Sequence, residues 1–142
     1  MPSDYLSNDE ALSLLKLPKI EIERYSGHYL LQGQQTIELI SIDTKFQFLF
    51  DVNCYQIRLT YQTRTRSKDI LARLDLGGIL RHRNPNGEII TGPHIHLYKE
   101  GFNDRFAYPL DPQFFSDPSD FLLSIEEFMR FCNIQGIGFR EV

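Results

Sequence analysis

Ile57–Arg66, IRLTYQTRTR, alternates without a break. Arg58, Thr60, Gln62, Arg64 and Arg66 are polar, while Ile57, Leu59 and Tyr61 occupy the other parity. Successive side chains of a strand point to opposite faces, so strict period two predicts a half-buried strand. Ile70–Leu76, ILARLDL, repeats the pattern: Arg73 and Asp75 share a face opposite Ala72, Leu74 and Leu76, and Gly77-Gly78 closes the run. On the N-terminal side KIEIERY, GHYLLQG, TIELISI and FQFLFDV read as further strands, with a turn at Ser41–Thr44.

The two ends of the chain carry the other period. Ser7-Asn8-Asp9-Glu10 matches a capping box, and Ala11, Leu12, Leu14 and Leu15 follow at helical spacing until Pro18 stops them. Near the other end, Asp117 suits an N-cap and Pro118 the first helical position. Phe121, Leu122, Ile125, Phe128, Met129 and Cys132 then form an apolar stripe at spacings of three and four, which reads as core. Ile137–Val142 reads as a last strand. The expected architecture is a single α+β domain over residues 1–142: an antiparallel sheet of five to seven strands with one N-terminal and one C-terminal helix.

With 142 residues, 42% of them hydrophobic and 24% charged, the chain has an ordinary globular composition. The start, MPSDYLSNDEA, lacks a basic stretch followed by an apolar run, so no signal peptide is expected. No apolar stretch approaches the roughly 18 residues of a membrane span, so no membrane partner is expected. Cys54 and Cys132 lie far apart without metal-ligand spacing and read as reduced thiols, which points to the cytoplasm. The net charge of −4 argues mildly against a generic nucleic-acid binder. From Arg58 to His96, however, seven basic residues stand against three acidic ones, a local balance of +4. Such asymmetry can make a basic face on an acidic protein.

Leu80–Tyr108, LRHRNPNGEIITGPHIHLYKEGFNDRFAY, holds three of the four histidines and the strongest turn signal. Asn84-Pro85-Asn86-Gly87 suits a type I turn followed by a left-handed residue. A two-residue loop would pair Arg83 with Glu88; a three-residue loop with a glycine bulge would pair Asn84 with Glu88. The bulged form is favoured, because type I turns splay a two-residue hairpin. It sets His82, His94 and His96 on one face, with His82 opposite Ile90 and some 13 Å from the level of His94.

Three readings of the histidines follow. His94-x-His96-x-x-x-Glu100 is similar to the first ligand motif of the cupins, but no histidine follows His96 to supply their second motif. A third ligand would have to come from Glu100 or His28, and a lone His pair is too unspecific for a metal or other cofactor to be expected. Alternatively, His94 and His96 act as acid and base of a metal-independent ribonuclease, with Arg81 or Arg83 clamping phosphate and Arg64, Arg66, Arg73 and Tyr98 adding charge and a phenol. The plainest reading is a partly buried strand pair bonded to backbone or acids. The run from Tyr98 to Tyr108, followed by Phe114-Phe115, interleaves aromatics with charges in the manner of a recognition loop.

The succession FQFLFDV, YQTRTR, RLDLGG, HRNPNGE, GPHIHLYKEGFNDRFAYPL and FMRFCNI resembles an uncharacterised family of small bacterial and prophage proteins, over about Phe46 to Ile134. The block HRNPNG…GPHIHLYKEG is its most specific part. The resemblance implies a mobile-element or phage–host-conflict setting, such as a toxin–antitoxin component or an inhibitor of a defence system. It carries over no catalytic residue. The expectation is therefore a protein that binds a protein or RNA of such a system, through Arg64, Arg66, Arg81, Arg83, Tyr98, Phe102, Arg105 and Phe106. A homodimer is left open, and the ribonuclease built on His94 and His96 is the alternative.

Overall fold

The computed structural model describes residues 5–142. Its elements in chain order are α1 (Asn8–Lys16), β1 (Lys19–Glu21), β2 (His28–Leu30), β3 (Gly33–Ser41), β4 (Gln47–Tyr55), β5 (Arg58–Thr65), β6 (Ile70–Leu76), β7 (Arg81–Arg83), β8 (Ile89–Thr91), β9 (His94–Leu97), β10 (Ala107–Pro109), α2 (Phe121–Phe131) and β11 (Gly138–Arg140). Seven strands form one antiparallel sheet in the order β1-β3-β4-β5-β6-β9-β10. Strands and isolated bridges hold 42% of the described residues and helices 14%. The fold is therefore mainly β, with a helix near each end, and the α+β expectation holds only in that coarser sense.

Alternation decides which side of the sheet is core. Phe50, Val52, Leu59, Tyr61, Ala72 and Leu74 are fully or almost fully buried on the inner face. There α2 covers them: Phe128 stacks on Phe50 and tilts against Tyr61. Helix α1 adds Ala11 and Leu15 to the same cluster. Its capping box is complete, with Ser7 Oγ accepting from Glu10 N and Glu10 Oε1 accepting from Ser7 N. Ile57 departs from the expected inward parity. It lies in the β4–β5 turn and is 66% exposed.

Two boundaries differ from the sequence reading. Helix α2 begins at Phe121 with Asp120 as its N-cap, and Asp120 Oδ1 accepts from Leu123 N. Asp117 instead accepts from the backbone and hydroxyl of Ser119, closing a local turn before the helix. Both aspartates offer a capping oxygen, and the one next to the apolar stripe wins. The second difference lies in the 80–98 segment. The bulged turn forms as expected: Asn84 N donates to Glu88 O, Gly87 N donates to Asn84 O, and Gly87 takes φ +91°. But β7 and β8 make a separate two-stranded ribbon that ends at Thr91. Gly92, at φ +82°, redirects the chain so that β9 enters the large sheet between β6 and β10.

One buried charge ties the helices to the sheet. Lys19 is fully buried, and its Nζ donates to Leu15 O (2.7 Å), Leu17 O (2.9 Å) and Cys132 O (2.8 Å). Those carbonyls end α1 and α2, where unpaired acceptors need a cation or donor. Burial lowers the Lys19 pKa to about 8. Lys19→Met keeps the apolar stem and removes all three bonds. It should destabilise the fold by roughly 1–3 kcal/mol, read as a lower urea midpoint at unchanged slope.

Candidate functional site

The outer face of the sheet is polar in two adjacent cross-strand rows. One runs Thr36, Asp51, Gln62, Arg73, His96; the other runs Asn53, Thr60, Asp75, His94. Alternation puts these residues outward, and register lines them up. Most of the row is internally neutralised. Asp51 accepts from Thr36 Oγ1 (2.7 Å), Gln62 Nε2 (2.9 Å) and Arg64 Nε (2.6 Å). Arg66 reaches Glu38 at 3.5 Å.

At the β6–β9 end the rows converge on one carboxylate oxygen. Asp75 Oδ2 lies 3.2 Å from His94 Nε2 and 3.2 Å from His96 Nε2. Asp75 is the direct cross-strand partner of His94 and the diagonal neighbour of His96. Each ring is also held from behind: His94 Nδ1 donates to Gly92 O (2.9 Å) and His96 Nδ1 to Asp104 O (2.8 Å). A carbonyl can only accept, so both Nδ1 atoms carry protons, and both Nε2 atoms face the carboxylate. Arg73 completes the cluster, with Nη2 donating to His96 Nε2 (3.0 Å) and Nη1 to Asp104 Oδ2 (3.0 Å).

The β7–β8 ribbon roofs this cluster. Leu80 and Asn84 are buried and His82 is half-buried on its inward face. Asn84 acts as a strand partner for the sheet edge: its Oδ1 accepts from Ala107 N (2.8 Å) and its Nδ2 donates to Ala107 O (2.9 Å). His82 Nε2 donates to Arg105 O (2.8 Å). The His82 ring then lies 4.7 Å from that of His96 and 5.8 Å from that of His94, centroid to centroid. The expected 13 Å separation assumed that β8 runs straight into β9, and the break at Gly92 removes that assumption. The third partner of the two histidines is the Asp75 carboxylate. Glu100 is exposed, with its backbone N–H bonded to Asn8, and His28 lies on β2 against Gly138.

The other predicted contact residues are dispersed. Tyr98 is buried and its hydroxyl donates to Leu6 O, while Phe106 is buried under the Lys99 ammonium. Phe102 is half-buried against Phe106. Arg64 and Arg66 are tied to Asp51 and Glu38. Arg81, Arg83 and Arg105 are exposed, and none of the three makes an ion pair among the described residues. An exposed apolar end of the sheet, formed by Tyr55, Ile57 and Ile79, was not anticipated. Its one signal in the sequence is Gly77-Gly78 followed by an isoleucine.

A protein-family model described as a family of unknown function (DUF6978) matches residues 6–134. No curated protein and no solved structure matches the chain. No helix among the described residues is long and apolar enough to cross a membrane.

The charges of the cluster set its response to pH. The bond to Asp75 raises the His94 pKa above its ordinary 6.5, against the opposing effect of burial and with help from the Gly92 carbonyl. Burial alone would raise the Asp75 carboxyl, but the two imidazoles and the Arg73 charge outweigh it and hold it well below the usual carboxylate range. A raised histidine contributes stability below its unfolded pKa and loses it as pH rises through the folded value. In chelator-treated protein, NMR should therefore find His94 titrating above the ordinary imidazole value. Stability should fall across that titration, and Asp75→Asn should abolish both effects.

Proposed function

The chain belongs to that family of unknown function, which carries no activity over to it, and from its own geometry we propose a protein-binding role. The contact surface is the apolar end of the sheet together with the outward face of the β7–β8 ribbon. The observation that carries this reading is Ile79, which is 99% exposed. Its approach is set by the glycine pair before it. Gly77 (φ +80°) sits so close to the β4–β5 turn that an added Cβ would fall 1.6 Å from Ile57 O. That close approach brings the end of β6 to the same end of the sheet as Ile57 and Tyr55, which are 66% and 56% exposed.

From Ile79 the chain alternates outward as Ile79, Arg81, Arg83, while Leu80, His82 and Asn84 point inward. Arg58, Arg81 and Arg83 are exposed and form no ion pair among the described residues. The cations of the sheet face proper, Arg64, Arg66 and Arg73, already have carboxylates. An apolar centre flanked by unpaired arginines resembles the anatomy of a protein interface, and it fits a partner with an apolar pocket and an acidic rim. An RNA backbone would use the arginines and leave Ile57 and Ile79 without a role. A partner from a toxin–antitoxin or phage-defence system fits the setting implied by the sequence resemblance.

The ribonuclease alternative asks His94 and His96 to reach a phosphodiester. They are 3% and 1% exposed, and each spends Nδ1 on a backbone carbonyl. That is a poor posture for proton transfer to a macromolecule.

Affinity capture from the native host, with and without nuclease, tests the reading. One protein should be retained stoichiometrically despite nuclease. Ile79→Asp should weaken it by about thirtyfold or more, as loss of an interface anchor worth roughly 2 kcal/mol does. Arg81→Glu with Arg83→Glu should weaken it further and reduce its salt dependence. Retention of nucleic acid alone would overturn the proposal, as would a chain that only self-associates in analytical ultracentrifugation.

A further inference from the structure

We propose that Asp75, His94 and His96 form a binding site for one divalent transition metal ion of the zinc class. The argument begins with lone pairs. Each imidazole uses its Nδ1 proton on a backbone carbonyl, which in the neutral ring leaves an unprotonated Nε2 aimed at Asp75 Oδ2. Backbone carbonyls that fix Nδ1–H and turn Nε2 toward a common point are the outer support that metal-bound histidines ordinarily have. The three candidate ligand atoms lie within 4.8 Å of one another. Two donors bound to zinc at about 2.1 Å near the tetrahedral angle stand about 3.4 Å apart. Both nitrogen–oxygen separations here are 3.2 Å.

Protons alone leave one nitrogen of this arrangement with competing partners. A proton on His94 Nε2 makes a sound bond to Asp75. His96 Nε2, however, faces a donor and an acceptor at once: Arg73 Nη2 at 3.0 Å and Asp75 Oδ2 at 3.2 Å. The ring atom can accept from Arg73 or donate to Asp75, and it cannot do both. Arg73 Nη2 is shared between His96 Nε2 and, at 3.4 Å, Asp75 Oδ2. The buried Nε of Arg73 makes no hydrogen bond, although Asp75 Oδ1 is only 3.3 Å away. A metal ion would take both Nε2 lone pairs and the carboxylate together once the two imidazoles close from a spacing of up to 4.8 Å toward the roughly 3.4 Å of a tetrahedral site. Arg73 then keeps Asp104, already at 3.0 Å, as its partner.

The carboxylate of the site borders a groove, and the β7–β8 ribbon covers its histidines. A groove of about 360 Å³ on the outer face is lined by Asp75 and Arg73 together with Asn53, Thr60 and Gln62, so it reaches the carboxylate side of the cluster, while His94 and His96 lie buried behind it. Above lies His82, the nearest further imidazole. Two histidines and one carboxylate leave a coordination position open, as sites that act on a bound water or ligand do.

Isothermal titration of chelator-treated protein with zinc chloride should give one equivalent bound. In NMR the Nε2 resonances of His94 and His96 should shift on addition, with Nδ1 remaining protonated. Asp75→Asn and His96→Gln should each weaken binding by about a hundredfold or more. Arg73→Ala should tighten it, because the competing guanidinium is gone; a purely structural Arg73 would lose stability with no gain in zinc affinity. Ile79→Asp should leave zinc binding unchanged, which separates this site from the proposed protein interface. No stoichiometric zinc uptake, or uptake that leaves both Nε2 resonances in place, overturns the proposal without reliance on any variant.

Discussion

The pairing of β6 with β9 is the contact on which the outer face depends. It seats Asp75 opposite His94 and Arg73 opposite His96, two strands that are separated in sequence by the whole β7–β8 ribbon. Four ionisable side chains thus meet beneath a roof. Buried or half-buried charges persist only where partners compensate for the water they give up. Here the compensation is local and nearly closed: two backbone carbonyls hold the imidazoles, and a second carboxylate, on Asp104, holds the arginine. A one-residue slip of β9 against β6 would turn both histidines into the inner core, where Ile95 now sits, while β5 still holds Asp75 outward. Register is therefore enforced by polarity on one face and by packing on the other.

Much of the fold was legible because alternation is a local signal. The polar parity of Arg58–Arg64 and the pair Arg73/Asp75 emerge on the outer face as read, and the bulged turn at Asn84–Glu88 forms in the favoured register. What could not be read was pairing between strands distant in the chain. Nothing in the sequence sets Asp75 level with His94, because the choice of β9 over β7 as neighbour of β6 is made by tertiary packing. The placement of His82 failed for a related reason: Gly92 was read as part of a continuous strand, and its left-handed conformation breaks the strand instead. Lys19 escaped notice because a lysine in an alternating run reads as solvent-facing. Only the two helix ends that converge on it explain its burial.

The segment Ile79–Asn84 does two jobs by parity. Its inward residues, Leu80, His82 and Asn84, close the polar cluster and stitch the ribbon to the edge strand through Ala107. Its outward residues, Ile79, Arg81 and Arg83, are displayed to solvent. A strand that faces a packed layer on one side and water on the other needs both chemistries in alternation, and neither can be changed by a one-residue slip without damage to both. The exposed isoleucine is then hard to ascribe to relaxed surface composition. Gly77, held against the β4–β5 turn, directs the chain outward just before Ile79.

The same parity connects the two proposals physically while keeping them separable. Metal bound at Asp75, His94 and His96 would add its binding free energy to the folded arrangement of β6, β9 and the ribbon above them, because the unfolded chain does not hold the three ligands together. Its direct influence on the outward face would pass through His82 and the Asn84–Ala107 bonds, and these position the strand without touching the side chains of Ile79 or Arg81. A ligand alters affinity at a second surface only to the extent that it favours one arrangement of that surface over another. A ribbon already tied down by Asn84 on one side and Gly77 on the other offers few alternative arrangements. The geometry thus favours a metal that stiffens the platform over one that switches the interface.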